Sequence, residues 1–282
     1  MLNGSTIPRI QGSINLLTST QKKLAEYIID NYKEAIDFTV TELSEKSGVS
    51  EATVIRFCKD LGYKGYQDFK INLAKEVISP YKQINLDLEE TDEPMDIVNK
   101  IFNSNISVLN ETLNILDIDA MEKAAEKIVN AKRLEIVGSG GSAFIALDVQ
   151  HKFLKIGIKC YANPDAHSQA MSASLLGEGD VIMGISHSGS STNVINCLEL
   201  AKSGGATTIA LTTQGKSPIL KFSDIALFSA TKETAFKSES LSARIAQLTV
   251  IDSLMTLIAF KNYDYSHDAI HKTRHATSST KY

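Results

Sequence analysis

Apolar residues recur every three or four positions through the first 78 residues, the period of helices packed on one another. Leu24, Ile28 and Ile29 mark a helix from about Ser19 to Asn31, and Thr18 and Gln21 before it have capping-box spacing. Thr39 and Glu42 repeat the device and open a short helix that ends at Gly48. Val49 and Ser50 begin a third helix through Leu61, closed at Gly62 by a left-handed cap. Phe69, Leu73 and Val77 line a fourth helix after Lys64-Gly65, and Pro80 stops it.

The grammar then changes. Residues 79–94, "SPYKQINLDLEETDEP", are polar and mildly acidic and read as a solvated linker. Two amphipathic helices follow, roughly Asp96 to Leu113 and Ala120 to Ala131. Beyond Arg133, short apolar runs alternate with helical segments. Leu134–Val137, Val181–Ile185, Thr208–Leu211 and Ile225–Phe228 read as strands. Ser142 to Ile156, Ser191 to Ser203 and Ser242 to Phe260 read as helices. This βα rhythm predicts a mostly parallel sheet flanked by helices. The expected fold class is therefore α/β overall, with an all-helical domain at 1–78 and a parallel-sheet domain at 95–282.

Composition narrows the function classes. The chain has 282 residues, 43% hydrophobic and 22% charged, as a globular protein does. A formal net charge of -4 excludes a globally basic nucleic-acid coat, although a small basic surface remains open. Cys58, Cys160 and Cys197 lack metal-site spacing and sit in apolar runs, so they read as buried free thiols rather than a disulfide framework. The start carries no signal-peptide pattern, and no uncharged apolar stretch reaches membrane-spanning length. The expected compartment is the cytoplasm, with no membrane partner.

The stretch "TVTELSEKSGVSEATVIRFCKDLGYKGYQDFK", Thr39 to Lys70, has helix-turn-helix character. With Leu43, Val54, Phe57 and Leu61 packed inward, Glu51, Ala52, Thr53, Arg56 and Lys59 fall on the outer face. Thr53 and Arg56 are the candidates for base edges; Lys59, Lys64 and Lys22 are candidates for phosphates. Residues 1–80 hold ten Lys/Arg and ten Asp/Glu, so charge alone does not separate this reading from a helical domain with a solvated face.

In the second half, two strands run into loops of small residues. "LEIVGSGGSAFIA" places Gly138-Ser139-Gly140-Gly141-Ser142 between a strand and a helix, where backbone amides can approach an anion. It does not fit a dinucleotide fingerprint, because Ala143 stands where the third glycine belongs. "VIMGISHSGSSTNVINC" places Ser186, Ser188, Ser190, Ser191 and Thr192 in seven residues at the end of another strand. Hydroxyls without a cation suit reversible binding of a phosphate monoester at the carboxyl ends of parallel strands.

Together, "GSGGSA", "SHSGSS" and "AKSGGATTIALT" resemble the sugar isomerase (SIS) domain of phosphosugar isomerases and phosphosugar-responsive regulators. "GVSEATVIRFCKDLGYKGYQDFK" resembles the N-terminal domain of the RpiR/MurR family of bacterial transcriptional regulators. The resemblance implies a cytoplasmic homodimer or homotetramer that binds palindromic operator DNA and responds to a phosphorylated sugar, with no other cofactor. It further implies that Ser142 meets the phosphate, with Ser139 a weaker ligand. Ser186, Ser188 and Ser191 supply the second loop, and Glu239 reaches sugar hydroxyls. Specificity is expected from Asn163–Ala170 and Lys232–Glu239.

Two other functions compete. A phosphosugar isomerase would need a base such as Glu239, assisted by His187, His167 or His267, but no local spacing ties these into a catalytic group. A sensor acting through protein partners would use the N-terminal helices for docking. His267, His271 and His275 have the spacing of one helical face, but without a further ligand set they predict no metal site; the segment reads as a solvated, partly frayed tail. No catalytic residue is assigned.

Overall fold

The computed structural model describes residues 6–14, 17–77, 88–231 and 241–278, which fall into two compact units. In the N-terminal unit, α1 (Thr6–Ser13), α2 (Ser19–Asp30), the single turn α3 (Tyr32–Ala35), α4 (Val40–Ser47), α5 (Glu51–Asp60) and α6 (Tyr66–Val77) enclose one core. Both expected capping boxes form, Thr18 with Gln21 and Thr39 with Glu42. Gly48 takes φ +66° and turns the chain between α4 and α5. Leu24, Ile28, Leu43, Val54, Phe57 and Leu73 are fully buried, each contributing roughly 1.5–3 kcal/mol by leaving water. Phe69 joins Phe57 and Tyr63 in edge-on ring contacts at 6.1 and 5.4 Å.

The pattern of apolar spacing does not predict α1. It offers only Ile7 and Ile10 to the core, with Pro8 in its first turn, where proline is tolerated. Polar contacts add to the fully buried Ile10 in holding it. Tyr63 Oη donates to Thr6 Oγ1 at 3.0 Å, and Arg9 donates to the Leu61 carbonyl at 3.1 Å while covering the Tyr63 ring.

The C-terminal half contains α7 (Pro94–Ile115), α8 (Ile118–Val129), β1 (Leu134–Gly138), α9 (Gly141–Lys155), β2 (Cys160–Ala162) and α10 (Ala166–Ala173). It continues with β3 (Val181–Ile185), α11 (Thr192–Ser203), β4 (Thr207–Thr213), β5 (Ile225–Ser229), α12 (Leu241–Lys261) and α13 (Tyr263–Ser278). The five strands are all parallel, in the order β2-β1-β3-β4-β5. Ile136, Met183, Ile209 and Leu211 pack with α8, α9 and α12 on one face. Val137, Ile182 and Ala210 pack with α10 and α11 on the other. The sheet is thus a buried doubly covered layer, and its strands read as continuous apolar runs for that reason.

Beyond Arg133, three further elements depart from the sequence reading. The strand β2 is a three-residue edge, too short to leave a periodic signal. The helix α10 grows from an Asp165 cap inside the segment expected to be a specificity loop. The expected frayed tail is the helix α13, whose residues are largely exposed. Of the predicted linker, residues 79–87 lie outside the described residues. Ser242–Lys261 is long and apolar enough to cross a membrane by length and composition. It contains Arg244 and Asp252, and Ala246, Ile251, Leu254 and Ile258 are fully buried within the C-terminal unit.

Candidate functional site

The strands β1 and β3 are neighbours in the sheet but not in the chain, so the sheet reverses its winding between them. Open α/β sheets bind ligands at such a switch point, outside the carboxyl ends of the strands. Gly138, the last residue of β1, pairs in register with Ile185, the last residue of β3. The two small-residue loops therefore leave the sheet side by side, and each enters a helix within a few residues.

Neither helix start has a side-chain cap, and in α9 the Ser142 and Ala143 amides donate to the carbonyls of Ser139 and Gly140, both at 3.1 Å. Gly140 caps α9 with no side chain to contribute, and Ser191 caps α11 without a side-chain bond to its amides. The remaining first-turn N–H groups and the positive end of the helix dipole favour an anion. Glycine is required twice in the first loop. A Cβ on Gly138 would stand 2.5 Å from the Ser142 carbonyl oxygen, and Gly140 adopts φ +56°, ψ -128°.

The expected hydroxyls are unequal. Ser139 is exposed and Ser142 half-buried, on either side of the α9 start. Ser186 is 1% exposed and donates to Ser191 Oγ at 3.0 Å. That bond occupies an acceptor position on Ser191 and leaves the Ser191 proton free to donate outward. Ser188 is exposed, and its Oγ accepts from the Ser190 amide at 3.3 Å. Glu239, like the rest of the expected specificity segment Lys232–Glu239, lies outside the described residues. His187 turns toward the protein, with Nδ1 2.9 Å from Thr213 Oγ1.

Two side chains that brace the site are not evident from sequence. Gln169, 2% exposed, donates from Nε2 to the carbonyls of Gly138 and Asn163 at 2.8 and 2.6 Å. Asn193, in the first turn of α11, donates to Gln169 Oε1 at 2.8 Å. The available signal is polarity alone, a glutamine and an asparagine on otherwise apolar helix faces.

In the N-terminal unit, α4 and α5 form the helix-turn-helix pair. Arg56, Lys59 and Lys64 are exposed, and Thr53 is half-buried, its hydroxyl 2.9 Å from that of the α5 cap Ser50. The Glu51 carboxylate, which would repel a phosphate, accepts from Thr41 Oγ1 at 2.6 Å. Lys22 and Lys70 are half-buried. Burial holds the Lys70 ammonium down at about 8, while Asp37 and Glu42 oppose the shift. Lys70 therefore differs from the exposed Arg56, Lys59 and Lys64.

The helix-turn-helix domain model of the rpiR family matches residues 5–80, and the SIS domain model matches residues 127–257. The transcriptional regulator RpiR of Escherichia coli is 34% identical over 257 residues, covering 91% of this chain and 87% of that protein. The chain belongs to the RpiR family of transcriptional regulators. The regulator HexR of Pseudomonas aeruginosa is 32% identical over 255 residues, covering 90% of this chain and 89% of that one. The structure of Vibrio vulnificus NanR complexed with ManNAc-6P superposes with a TM-score of 0.83 at 25% identity, over 98% of this chain and all of that one.

Burial governs the thiols of this RpiR-family chain. The three cysteines are free. Burial pushes the Cys160 thiol up to about 12 and the Cys197 thiol to about 11, and it raises Cys58 further. His267 and His271 face each other on α13 with Nε2 atoms 3.2 Å apart. Among the described residues, no group of three or more His, Cys, Asp or Glu is placed to hold a metal ion.

Proposed function

We propose that this RpiR-family regulator binds operator DNA through α5 and is controlled by a sugar phosphate held between the β1–α9 and β3–α11 loops. Ser142, Ser188 and Ser191 would donate to the phosphate, with Ser139 at the rim. Ser186 would act through Ser191, and Glu239 would meet the sugar. One observation carries the ligand reading: the register pairing of Gly138 with Ile185, which sets two uncapped helix starts next to each other. The likeness to NanR, whose structure is a complex with ManNAc-6P, supports the ligand class.

Thr53 and Arg56 would read bases, and Lys59 and Lys64 would meet phosphates. The working division is a DNA-binding domain at 1–78, a linker at 79–94 and a sensing domain at 95–282. Two recognition helices related by a two-fold axis would read a palindrome, which requires at least a dimer in the cytoplasm. Phe144, Leu175 and Phe260 leave most of their surface exposed, apolar area that self-association would cover.

Catalysis is the weaker reading. Isomerisation needs a positioned base and acid, and the His187 Nδ1 is engaged with Thr213. The testing experiment titrates hexose, amino-sugar and N-acetylated amino-sugar 6-phosphates into the protein with promoter DNA from its own and neighbouring genes. One phosphate ester should change DNA affinity, its unphosphorylated parent should not, and none should be converted. Turnover of a sugar phosphate would favour the isomerase reading.

A further inference from the structure

The sequence offers the two-loop site hydroxyls and amides with no cation. The structure brings one there. Arg244, in the first turn of α12, reaches back over the start of α9. A Cβ built on Gly141 would lie 2.7 Å from Arg244 Nη2, so the guanidinium occupies the space above the first residue of the helix. Any side chain at position 141 would displace it. Arg244 is half-buried, yet its side chain makes neither a hydrogen bond nor an ion pair with any described residue.

That placement is electrostatically unfavourable in isolation. The N-terminus of α9 carries the positive end of its dipole, and a cation beside it is repelled. A half-buried guanidinium has five donors, and partial burial costs desolvation energy that no acceptor among the described residues offsets. Three residues further along the same side of α12, Gln247 is 1% exposed and its Nε2 has no partner. Two side chains on one helix face thus hold donors without acceptors among the described residues, one of them at an uncapped helix start. An anion at the α9 terminus reverses the sign of the Arg244 interaction and supplies acceptors for its planar fork.

We propose that Arg244 is a ligand-binding residue that completes the phosphate site, pairing with the phosphate monoester dianion over Gly141. This rests on the reading of the two loops as a phosphate site and adds the charge that the loops lack. The guanidinium makes the site select for the phosphorylated form of a sugar over the free sugar, because only the dianion relieves the cation at the helix start. Gly141 serves that role by leaving room for the guanidinium.

The test is calorimetry on the full chain with the same panel of sugar 6-phosphates, their unphosphorylated parents and inorganic phosphate. Wild type is compared with Arg244→Gln and Arg244→Lys. The Gln variant should lose roughly ten- to a hundredfold in affinity for the sugar phosphate, the range for one charge-assisted contact. It should lose a similar factor for inorganic phosphate, and the Lys variant should recover part of both. Because the Arg244 side chain bonds to no described residue, the ligand-free melting temperature should stay within a few degrees of wild type. Should Arg244→Gln fail to fold, Arg244→Met, which keeps the apolar stem, replaces it.

Wild-type affinity for every phosphate in the variants would overturn the assignment of Arg244 and leave the two-loop site standing. A loss for the sugar phosphate with unchanged binding of inorganic phosphate would place Arg244 at the sugar and also overturn it. If wild type binds no phosphate of either kind, the site reading fails and the assignment falls with it.

Discussion

The Asn193 side-chain amide donates to Gln169 Oε1 at 2.8 Å, while Gln169 Nε2 donates to the Gly138 carbonyl at 2.8 Å. One buried glutamine thereby ties the end of β1 to the first turn of α11, bridging the switch point. Gln169→Leu keeps the volume but strands the Gly138 and Asn163 carbonyls and the Asn193 amide. A fully buried unsatisfied group costs about 1–3 kcal/mol, and only the Gly138 carbonyl is fully buried while the Asn163 and Asn193 groups are partly exposed, so chemical denaturation should show a loss of roughly 2–4 kcal/mol. A loss below about 0.5 kcal/mol would show that the bridge is not a stabilising element.

Gly138→Ala tests the close approach of β1 to α9. The added methyl meets backbone, not a flexible side-chain end, so the first turn of α9 must move. Overpacking of this kind costs about 1–3 kcal/mol. Sugar-phosphate affinity should fall by at least about tenfold while DNA binding without ligand is kept, measured by calorimetry and by a DNA-binding assay.

For the DNA-binding surface, Arg56→Ala should cost about 1–3 kcal/mol against the operator and little against unrelated sequence. Lys59→Ala should weaken both alike and flatten the dependence on salt. Both residues are exposed, so neither variant should change the melting temperature appreciably. Unchanged operator affinity for Arg56→Ala would remove that residue from base recognition.

The thiols give a pH dependence whose sign is fixed by burial. An unfolded cysteine ionises near about 8.5, whereas Cys160 and Cys197 are held up at about 12 and about 11 in the fold, with Cys58 raised as well. Between those values the unfolded chain releases protons that the folded chain keeps, so their contribution favours folding below about pH 8.5 and declines above it. Native protein at pH 8 should react slowly with a disulfide reagent, and denatured protein should react at all three sites. Fast reaction of Cys58 in the native state would contradict its burial.

Sequence patterning made the architecture legible where one face of an element is apolar. The N-terminal helices α2, α4, α5 and α6, four of the five strands and both capping boxes follow from spacing and caps. The same logic located both loops, since glycine and serine at a strand end have few other uses. Of the elements it missed, α1, β2 and α10 are short and lean on polar contacts, such as Tyr63 with Thr6 and Gln169 with Gly138, while α13 is largely exposed and so carries little apolar period. Those partners lie 57 and 31 residues apart, and no local period encodes them. Arg244 was invisible for a related reason. Its meaning depends on Gly141, about a hundred residues earlier, being small enough to let it in.

The most direct measurement follows ligand binding and DNA binding together in wild type and Ser188→Ala. In wild type, the cognate sugar phosphate should shift operator affinity by roughly 5- to 150-fold, the usual range for coupling between sites. Ser188→Ala should keep operator affinity without ligand but need a higher concentration of sugar phosphate for the same shift. A wild-type protein that binds its operator, yet neither binds nor responds to any sugar phosphate of the pathway it controls, would contradict control by a phosphorylated sugar.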